Sequence, residues 1–141
     1  MKVMVFVKGD PTYEAGAMPK AEDLEEMGRF NEELVKAGVM LAGEGLHPTS
    51  KSKRVRFAGN KRTVIDGPFT ETKELVAGYW LWEVKSIDEA VEWLKRAPFR
   101  EGDVDIRPVF APEDFGAEYT AKVRAQEERI KAGIAAKHPT H

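Results

Sequence analysis

The chain has no cysteine among its 141 residues. Without thiols there are no disulfide bonds, no cysteine-held zinc or iron–sulfur centres and no thiolate catalysis. Long apolar runs are missing too, since none approaches the roughly 20 residues that span a bilayer. The N-terminal apolar run, 3–7, is shorter than the core of a signal peptide. We therefore expect a cytoplasmic protein with no membrane partner.

A strong net charge of either sign is also missing. The formal net charge is only −2, so no overall positive field attracts nucleic acid, and we do not expect nucleic acid as a partner. Of the three histidines, His138 and His141 stand in the terminal residues, which leaves too few for a metal site. Neither a P-loop nor a dinucleotide-binding glycine motif occurs. We therefore expect no metal and no cofactor.

The residues that are present fit one domain with a tail. Hydrophobic residues make up 42% of the chain and charged residues 33%, which is typical of a soluble globular protein. The predicted core elements all lie within residues 1–111. Residues 112–141 are predicted to form a helical extension with a narrow apolar stripe, which we expect to lie on the sheet or on a partner subunit. The stripe consists of Phe115, Tyr119, Val123, Ile130 and Ile134.

Periodicity within residues 1–111 predicts four core strands, two helices and a hairpin. Apolar residues at a spacing of two indicate strands, and apolar residues at a spacing of three or four indicate helices. A capping box, Ser86 with Glu89, opens the second helix, and Gly59-Asn60 is typical of a hairpin turn. The predicted strands are 2–8, 39–46, 74–85 and 103–110, the helices 19–37 and 86–97, and the half-exposed hairpin 51–66.

The order of these elements is β-α-β, an inserted hairpin, then β-α-β. This order predicts an α+β fold with the split βαβ arrangement of ferredoxin-like domains. Two helices cover only one face of such a sheet, yet strands 2–8 and 75–85 are apolar on both faces. The uncovered face would leave a large apolar patch on a monomer. We therefore expect a homodimer in which two sheets pack face to face as a barrel.

The stretch DGPFTETK, residues 66–73, is the strongest candidate for an active site. Pro68 stiffens the turn, which would hold the charged side chains in a fixed relation. On the functional interpretation, Asp66 or Glu71 acts as a base and Lys73 stabilises a developing oxyanion. Pro68 and Phe69 would border a ligand. On the alternative interpretation, the stretch is a tight turn with a Glu–Lys pair on the surface.

Other candidates for ligand binding lie in and beside the core strands. Glu44 has a glycine on each side and stands in an apolar strand, where it either pairs with Arg107 or serves a function. His47 is either a base or a surface residue. Tyr79 and Trp80 either line a ligand pocket or simply belong to the core.

The hairpin carries six basic residues and no acidic one between positions 51 and 62. Such a stretch could bind an anion or nucleic acid. Single-strand binders interleave aromatic residues with their basic ones, and here Phe57 is the one aromatic residue. We therefore favour the interpretation that the charges keep an exposed hairpin from aggregating.

Several segments together resemble the DGPF-domain branch of the YCII-related proteins. They are GEGL at 43–46, DGPFTETKE at 66–74, GYWLWEV at 78–84, DIRPVF at 105–110 and EDFGAEYTAKVRAQEERI at 113–130. The resemblance covers essentially the whole chain and implies a dimeric α+β barrel of ferredoxin-like subunits. Members of this branch are mostly uncharacterised. Some relatives are fused to or encoded near sigma-factor-like regulators, and more distant ones of the same fold include a dehydrochlorinase and a muconolactone isomerase.

The resemblance does not extend to a catalytic pair. The YCII branch is thought to use a histidine in the first helix together with an aspartate, but the predicted helix 19–37 contains no histidine. Two hypotheses follow for a homodimer with an unknown small-molecule ligand. One is cofactor-free acid–base chemistry of the isomerase or lyase kind. The other is a non-catalytic ligand-binding or regulatory module associated with sigma-factor-type transcription regulation.

Overall fold

The computed structural model describes residues 1–70 and 74–139. The chain divides into two compact units, Met1–Val109 and Phe110–His141. Among the helices in the described ranges, none has the length and apolar character needed to cross a membrane.

Among the described residues, the first unit contains six strands and three helices, and the second contains one long helix. The strands are β1 (Lys2–Lys8), β2 (Met40–Gly45), β3 (Lys53–Ala58), β4 (Lys61–Asp66), β5 (Val76–Glu83) and β6 (Val104–Pro108). The helices are α1 (Pro11–Glu14), α2 (Ala21–Lys36), α3 (Ile87–Leu94) and α4 (Ala121–Lys137). Short 3₁₀ turns span Thr49–Lys51 and Pro112–Glu118.

Four of the strands form one antiparallel sheet in the order β2-β5-β1-β6. The two central strands, β1 and β5, are the ones whose residues are apolar on both faces, as expected of strands with neighbours on either side. β3 and β4 pair separately as the inserted hairpin. The predicted α+β, ferredoxin-like arrangement is confirmed.

The core lies between the sheet and the helices α2 and α3. Val3 and Val5 of β1 and Trp82 of β5 are fully buried there, and Phe30 of α2 contacts Trp80 edge to face with ring centroids 5.8 Å apart. Such an aromatic contact adds about 0.5–1.5 kcal/mol to the gain from buried area. Trp80 and Trp82 of β5, and Val84 just after it, are buried on this side, so Trp80 belongs to the core.

Helix α2 begins two residues later than predicted. Its first residue is Ala21, and the Asp23 carboxylate accepts the backbone N–H of Lys20 at 3.3 Å, so the chain is still extended at Lys20. The predicted N-terminal boundary at Pro19 was therefore wrong. The acidic residues stabilise the first turn of the helix, and that turn begins after Pro19. Gly38, with φ of 73°, follows the last turn as predicted.

Helix α1 was not predicted. The Asp10 carboxylate accepts the Tyr13 N–H at 2.7 Å, and Pro11 occupies the first helical position. Residues 9–11 were read as a turn only. The missed signal is the Asp-Pro pair, because aspartate is a preferred cap and proline a preferred first residue.

Helix α3 begins as predicted but ends early. Ser86 caps it, accepting the Glu89 N–H at 3.2 Å, and the helix ends at Leu94 rather than at residue 97. Ala90 is its only fully buried residue among those described, while Ile87 and Val91 are exposed. These two residues border an open groove beside β6, so one flank of the apolar side is uncovered.

The hairpin is more exposed than predicted. The register pairs Val55 with Val64 and Phe57 with Arg62, so these residues share one face. Val55, Val64 and Phe57 are 48%, 64% and 69% exposed. The expectation of one buried face was therefore wrong, because the hairpin stands apart from the four-stranded sheet. The Arg62 guanidinium lies 4.6 Å from the Phe57 ring centroid and shields it in part.

The second unit is built around α4. Thr120 caps this helix by accepting the Val123 N–H at 3.2 Å. Phe110 stacks on Phe115 and Phe115 on Tyr119, with centroids 4.8 and 6.1 Å apart. Neither the 3₁₀ turn nor α4 fully buries any residue within the described part of the chain. In the apolar stripe, Phe115, Ile130 and Ile134 are exposed, and Tyr119 and Val123 are half-buried.

Candidate functional site

A cleft of about 280 Å³ lies where α2 faces the edge of the sheet formed by β2 and β5. Its walls are apolar and aromatic, with Met27 from α2, Val7 from β1, Trp80 from β5 and Phe99 from the segment after α3. Trp80 and Phe99 meet edge to face with ring centroids 6.1 Å apart. Such walls suit a flat apolar ligand.

Three glycines of β2 and β5 border the cleft and open its floor. A Cβ atom on Gly43 would come within 2.7 Å of Trp80 Cδ1, so a larger residue there would displace the indole. A Cβ on Gly78 would lie 3.1 Å from the Glu44 carbonyl oxygen. A Cβ on Gly45 would meet nothing within 4 Å, so the missing side chain leaves free volume there. The glycines of GEGL thus keep the cleft open.

Asn31 supplies the polar group on the α2 side of the cleft. It stands one helical turn after Met27, and both residues border the cleft. The Trp80 indole N–H donates to Asn31 Oδ1 at 2.9 Å. This bond satisfies a buried donor, since Trp80 is only 5% exposed, and it fixes the side chain of Asn31.

Glu44 and Tyr79 also border the cleft, but the register assigns their side chains to the other face of the sheet. Gly43 pairs with Trp80, whereas Glu44 pairs with Tyr79, and successive residues of a strand alternate between faces. Within Met1–Val109, the core helices α2 and α3 pack on the opposite face. Glu44 is exposed, so its carboxylate needs no buried partner.

The predicted ion pair between Glu44 and Arg107 is wrong. β2 and β6 are the two edges of the four-stranded sheet, with β5 and β1 between them. Three inter-strand spacings of about 4.8 Å separate the edges, or roughly 14 Å. Sequence reasoning placed the two residues side by side because it did not use the strand order.

The first part of the DGPF turn lies at the base of the hairpin. Asp66 is the last residue of β4, and its carboxylate accepts a hydrogen bond from Lys53 Nζ at 2.6 Å. The side chain of Asp66 is 74% exposed and that of Lys53 is 67% exposed. Pro68 is exposed, and the Arg54 guanidinium lies 4.0 Å from the half-buried Phe69 ring. The remaining predicted catalytic residues, Glu71 and Lys73, lie outside the described residues.

Hydrogen bonds join the DGPF turn to α1. The Glu14 carboxylate accepts the N–H and the hydroxyl of Thr49, and Thr49 Oγ1 accepts the Phe69 N–H at 2.9 Å. The Gly67 N–H donates to the Ser52 carbonyl at 2.9 Å. A Cβ on Gly67 would lie 1.6 Å from the Thr49 carbonyl oxygen, which only glycine avoids. The Gly67–Pro68 peptide bond is cis.

Tyr13 ties α1 to the end of β2. Its hydroxyl donates to the Leu46 carbonyl. Burial raises the pKa of Tyr13, and the Glu14 carboxylate beside it acts in the same direction. His47, next to Leu46, is exposed and is not among the residues that border the cleft.

The predicted site residues that the structure describes therefore fall into two groups, those that border the cleft and those that do not. Glu44, Tyr79 and Trp80 border the cleft, while Asp66, His47, Pro68 and Phe69 do not. Sequence reasoning missed Asn31, Met27 and Phe99. One signal was available, because Asn31 lies four residues after Met27 and interrupts the apolar side of α2 with an amide.

A wider groove of about 740 Å³ follows α3 and β6. Ile87 and Val91 line it and are exposed, which makes it an open surface rather than an enclosed site. Asp105 in its wall already pairs with Lys8 at 3.1 Å. The narrower cleft, with its aromatic walls and fixed amide, is the better candidate.

Comparison with known proteins gives a family, one relative in sequence and one similar structure. A sequence model of the YCII-related domain matches residues 1–113. An uncharacterised protein of Rhizobium meliloti (strain 1021) is 31% identical over 99 residues, which is 66% of this chain and 80% of the relative. One similar solved structure is 5-chloro-2-hydroxyhydroquinone dehydrochlorinase from Burkholderia phenoliruptrix in complex with 2,5-dihydroxybenzoquinone. It is 16% identical with a TM-score of 0.45, covering 78% of this chain and 94% of that one.

Proposed function

The chain belongs to the YCII-related family, and with that membership as the premise we propose that it binds a small molecule in the cleft between α2, β2 and β5. The observation that carries this proposal is the open floor. Gly45 is exposed and a Cβ there would meet nothing within 4 Å, so the cleft bordered by Trp80 and Phe99 is open at this residue. A volume of about 280 Å³ is at the lower end for ligand pockets. The ligand is therefore the size of one or two rings.

Replacement of Gly45 by valine tests this proposal. The backbone at Gly45 does not have positive φ, so valine is compatible with the strand, and its methyl groups enter the space over the floor. The probes are benzoate, phenol and acetophenone, added to ¹⁵N-labelled protein. We expect at least one of them to shift the Trp80 indole N–H resonance in the wild type but not in Gly45→Val.

A matched control is Gly28→Ala, which changes a glycine of α2 that is not among the residues bordering the cleft. This variant should bind the probes like the wild type. If every probe leaves the Trp80 resonance in place at millimolar concentration, or if Gly45→Val binds as well as Gly28→Ala, the cleft is not the site.

We also propose that a second copy covers the face of the sheet opposite α2 and α3. Met4, Phe6, Tyr79 and Leu81 form the centre of that face and are each only half-buried in the single chain. Contiguous apolar surface of this kind typically marks an interface. A two-fold dimer brings the same patch together from both subunits.

A second candidate function is acid–base catalysis by Asp66, Glu71 and Lys73. Its support is positional, since the contact with Lys53 Nζ at 2.6 Å holds the exposed Asp66 carboxylate at the base of the turn. Once a turned-over substrate is known, Asp66→Asn should abolish turnover and leave the fold intact. Unchanged turnover would eliminate Asp66 as the base.

A further inference from the structure

The orientation of the Asn31 amide is set by its neighbour Trp80. An indole N–H can only donate, so the atom that meets it at 2.9 Å must be the amide oxygen, Oδ1. The NH₂ group of Asn31 consequently points away from the indole nitrogen. Within residues 1–70 and 74–139, this group donates to no other protein atom, and Asn31 is only half-buried.

Most of the side chains that border the cleft with Asn31 are apolar. Asn31 borders the cleft together with Met27, Trp80 and Phe99. A donor in an apolar cleft contributes to affinity when the ligand supplies an acceptor, because a ligand without one would leave the donor desolvated and unpaired.

We infer that the cleft takes a planar ring bearing an oxygen acceptor, which is a carbonyl, carboxylate or phenolate oxygen, and that Asn31 Nδ2 donates to this oxygen. The ring lies against Trp80 and Phe99, and the glycine floor gives it room. This inference rests on the proposed function and adds the chemical class of the ligand. Asn31 is then the residue that distinguishes ligands, and Trp80 is the positioning residue that holds the amide.

The test compares two probes of the same shape, acetophenone and α-methylstyrene, which carries a CH₂ group in place of the ketone oxygen. Each probe is titrated into ¹⁵N-labelled wild-type protein while the Trp80 indole resonance is followed, assigned by its loss in Trp80→Phe. The two affinities are compared after correction for each probe's own transfer from water to an apolar solvent. A net hydrogen bond is worth about 0.5–1.5 kcal/mol, so on this scale acetophenone should bind roughly 2- to 12-fold more tightly.

The variant Asn31→Asp removes the donor but keeps an oxygen to accept the Trp80 N–H. We expect the carboxylate, which offers no donor, to weaken acetophenone more than α-methylstyrene, so that the ratio of the two affinities falls. The preference for acetophenone over α-methylstyrene should therefore disappear in this variant, while the cleft still binds the probes. A merely structural role of Asn31 would weaken both probes equally.

The outcomes separate this inference from the proposal on which it rests. If both probes shift the Trp80 resonance with equal affinity in the wild type, the cleft is a site but the acceptor class is wrong. If acetophenone keeps its advantage in Asn31→Asp, another group recognises the oxygen and the role of Asn31 is wrong. If neither probe shifts the resonance, the binding function itself is wrong. The wild-type comparison decides the ligand class even if the variant does not fold.

Discussion

Trp80 and Trp82 are neighbours on the same face of β5, but their indole nitrogens differ. Trp80 Nε1 donates to Asn31, whereas Trp82 Nε1 is buried and has no partner among the described residues. A buried donor without a partner costs about 1–3 kcal/mol. The two side chains contribute similar buried apolar area. Of the two, only Trp82 has an unpaired buried donor, which lowers its net contribution to the stability of the fold.

We expect Trp82→Phe to destabilise the protein less than Trp80→Phe. Both changes remove apolar atoms from the core, but the first also removes the unpaired donor, and the second leaves the oxygen of Asn31 without its donor. The difference should be about 1–3 kcal/mol in the free energy of unfolding, measured by urea denaturation. An equal or larger loss for Trp82→Phe would contradict this account of the indole nitrogens.

Tyr13 should give the stability of the protein an alkaline dependence. Because its pKa is raised by burial and by Glu14, folding favours the protonated phenol, which donates to the Leu46 carbonyl. This contribution is complete below the unfolded pKa of about 10 and is lost as the pH rises through the folded pKa.

The variant Tyr13→Phe isolates that contribution. It should be less stable than the wild type at pH 8, and the difference should shrink above pH 10 as the wild type loses its bond. The urea concentration at the midpoint of unfolding, measured for both proteins between pH 8 and 11, gives this difference in stability. A constant difference over that range would show that ionisation of Tyr13 is not linked to folding.

At single residues, the sequence predicted apolar positions better than polar ones. The burial of Trp80 and Trp82 followed from alternation along one strand, which needs no knowledge of other elements. The supposed partner of Glu44 depended on strand order, and the role of Asn31 depended on which strand α2 faces. Both are properties of the assembled sheet.

At the scale of elements, the DGPF turn is the most constrained connection described. The first half of the turn packs against Thr49 and Ser52 and forms hydrogen bonds with both residues. Through Thr49 these hydrogen bonds connect the turn to α1. Rigidity was predicted from Pro68, and the structure shows a second cause in the contact of Gly67 with the Thr49 backbone.

We expect Gly67→Ala and Gly28→Ala to change stability in opposite directions. The first forces a methyl group against the Thr49 carbonyl and should cost about 2–3 kcal/mol. The second adds a methyl group to an uncrowded position of α2 and should stabilise by about 0.5–1 kcal/mol. Thermal and urea unfolding of both variants measure the two effects. A tolerated Gly67→Ala would show that the turn can move away from Thr49.

The strands and the hairpin turn were predicted well because their signals are local, as with Gly59-Asn60 between β3 and β4. Boundaries of helices were less accurate. α2 starts after Lys20, and α3 ends at Leu94, where tertiary contacts and capping decide the last turn. The exposure of the hairpin could not be predicted, since alternation indicates a face but not whether anything covers it.

At the scale of the whole molecule, the proposed dimer accounts for a sheet whose central strands are apolar on both faces. A charged residue at the centre of the face opposite α2 and α3 should prevent it. We expect Leu81→Glu to be a monomer and the wild type to have twice the chain mass in analytical ultracentrifugation. Val64→Glu, on the exposed hairpin, is the control and should remain dimeric. A monomeric wild type at micromolar concentration would contradict the proposal.

The central claim is that the cleft between α2, β2 and β5 holds a ring with an oxygen acceptor. The most direct measurement is a difference electron-density map from crystals grown with acetophenone. The account predicts a flat feature between Trp80 and Phe99 over the glycine floor, with the ketone oxygen about 3 Å from Asn31 Nδ2. A cleft filled only by solvent, with the probe bound elsewhere or absent, would contradict it.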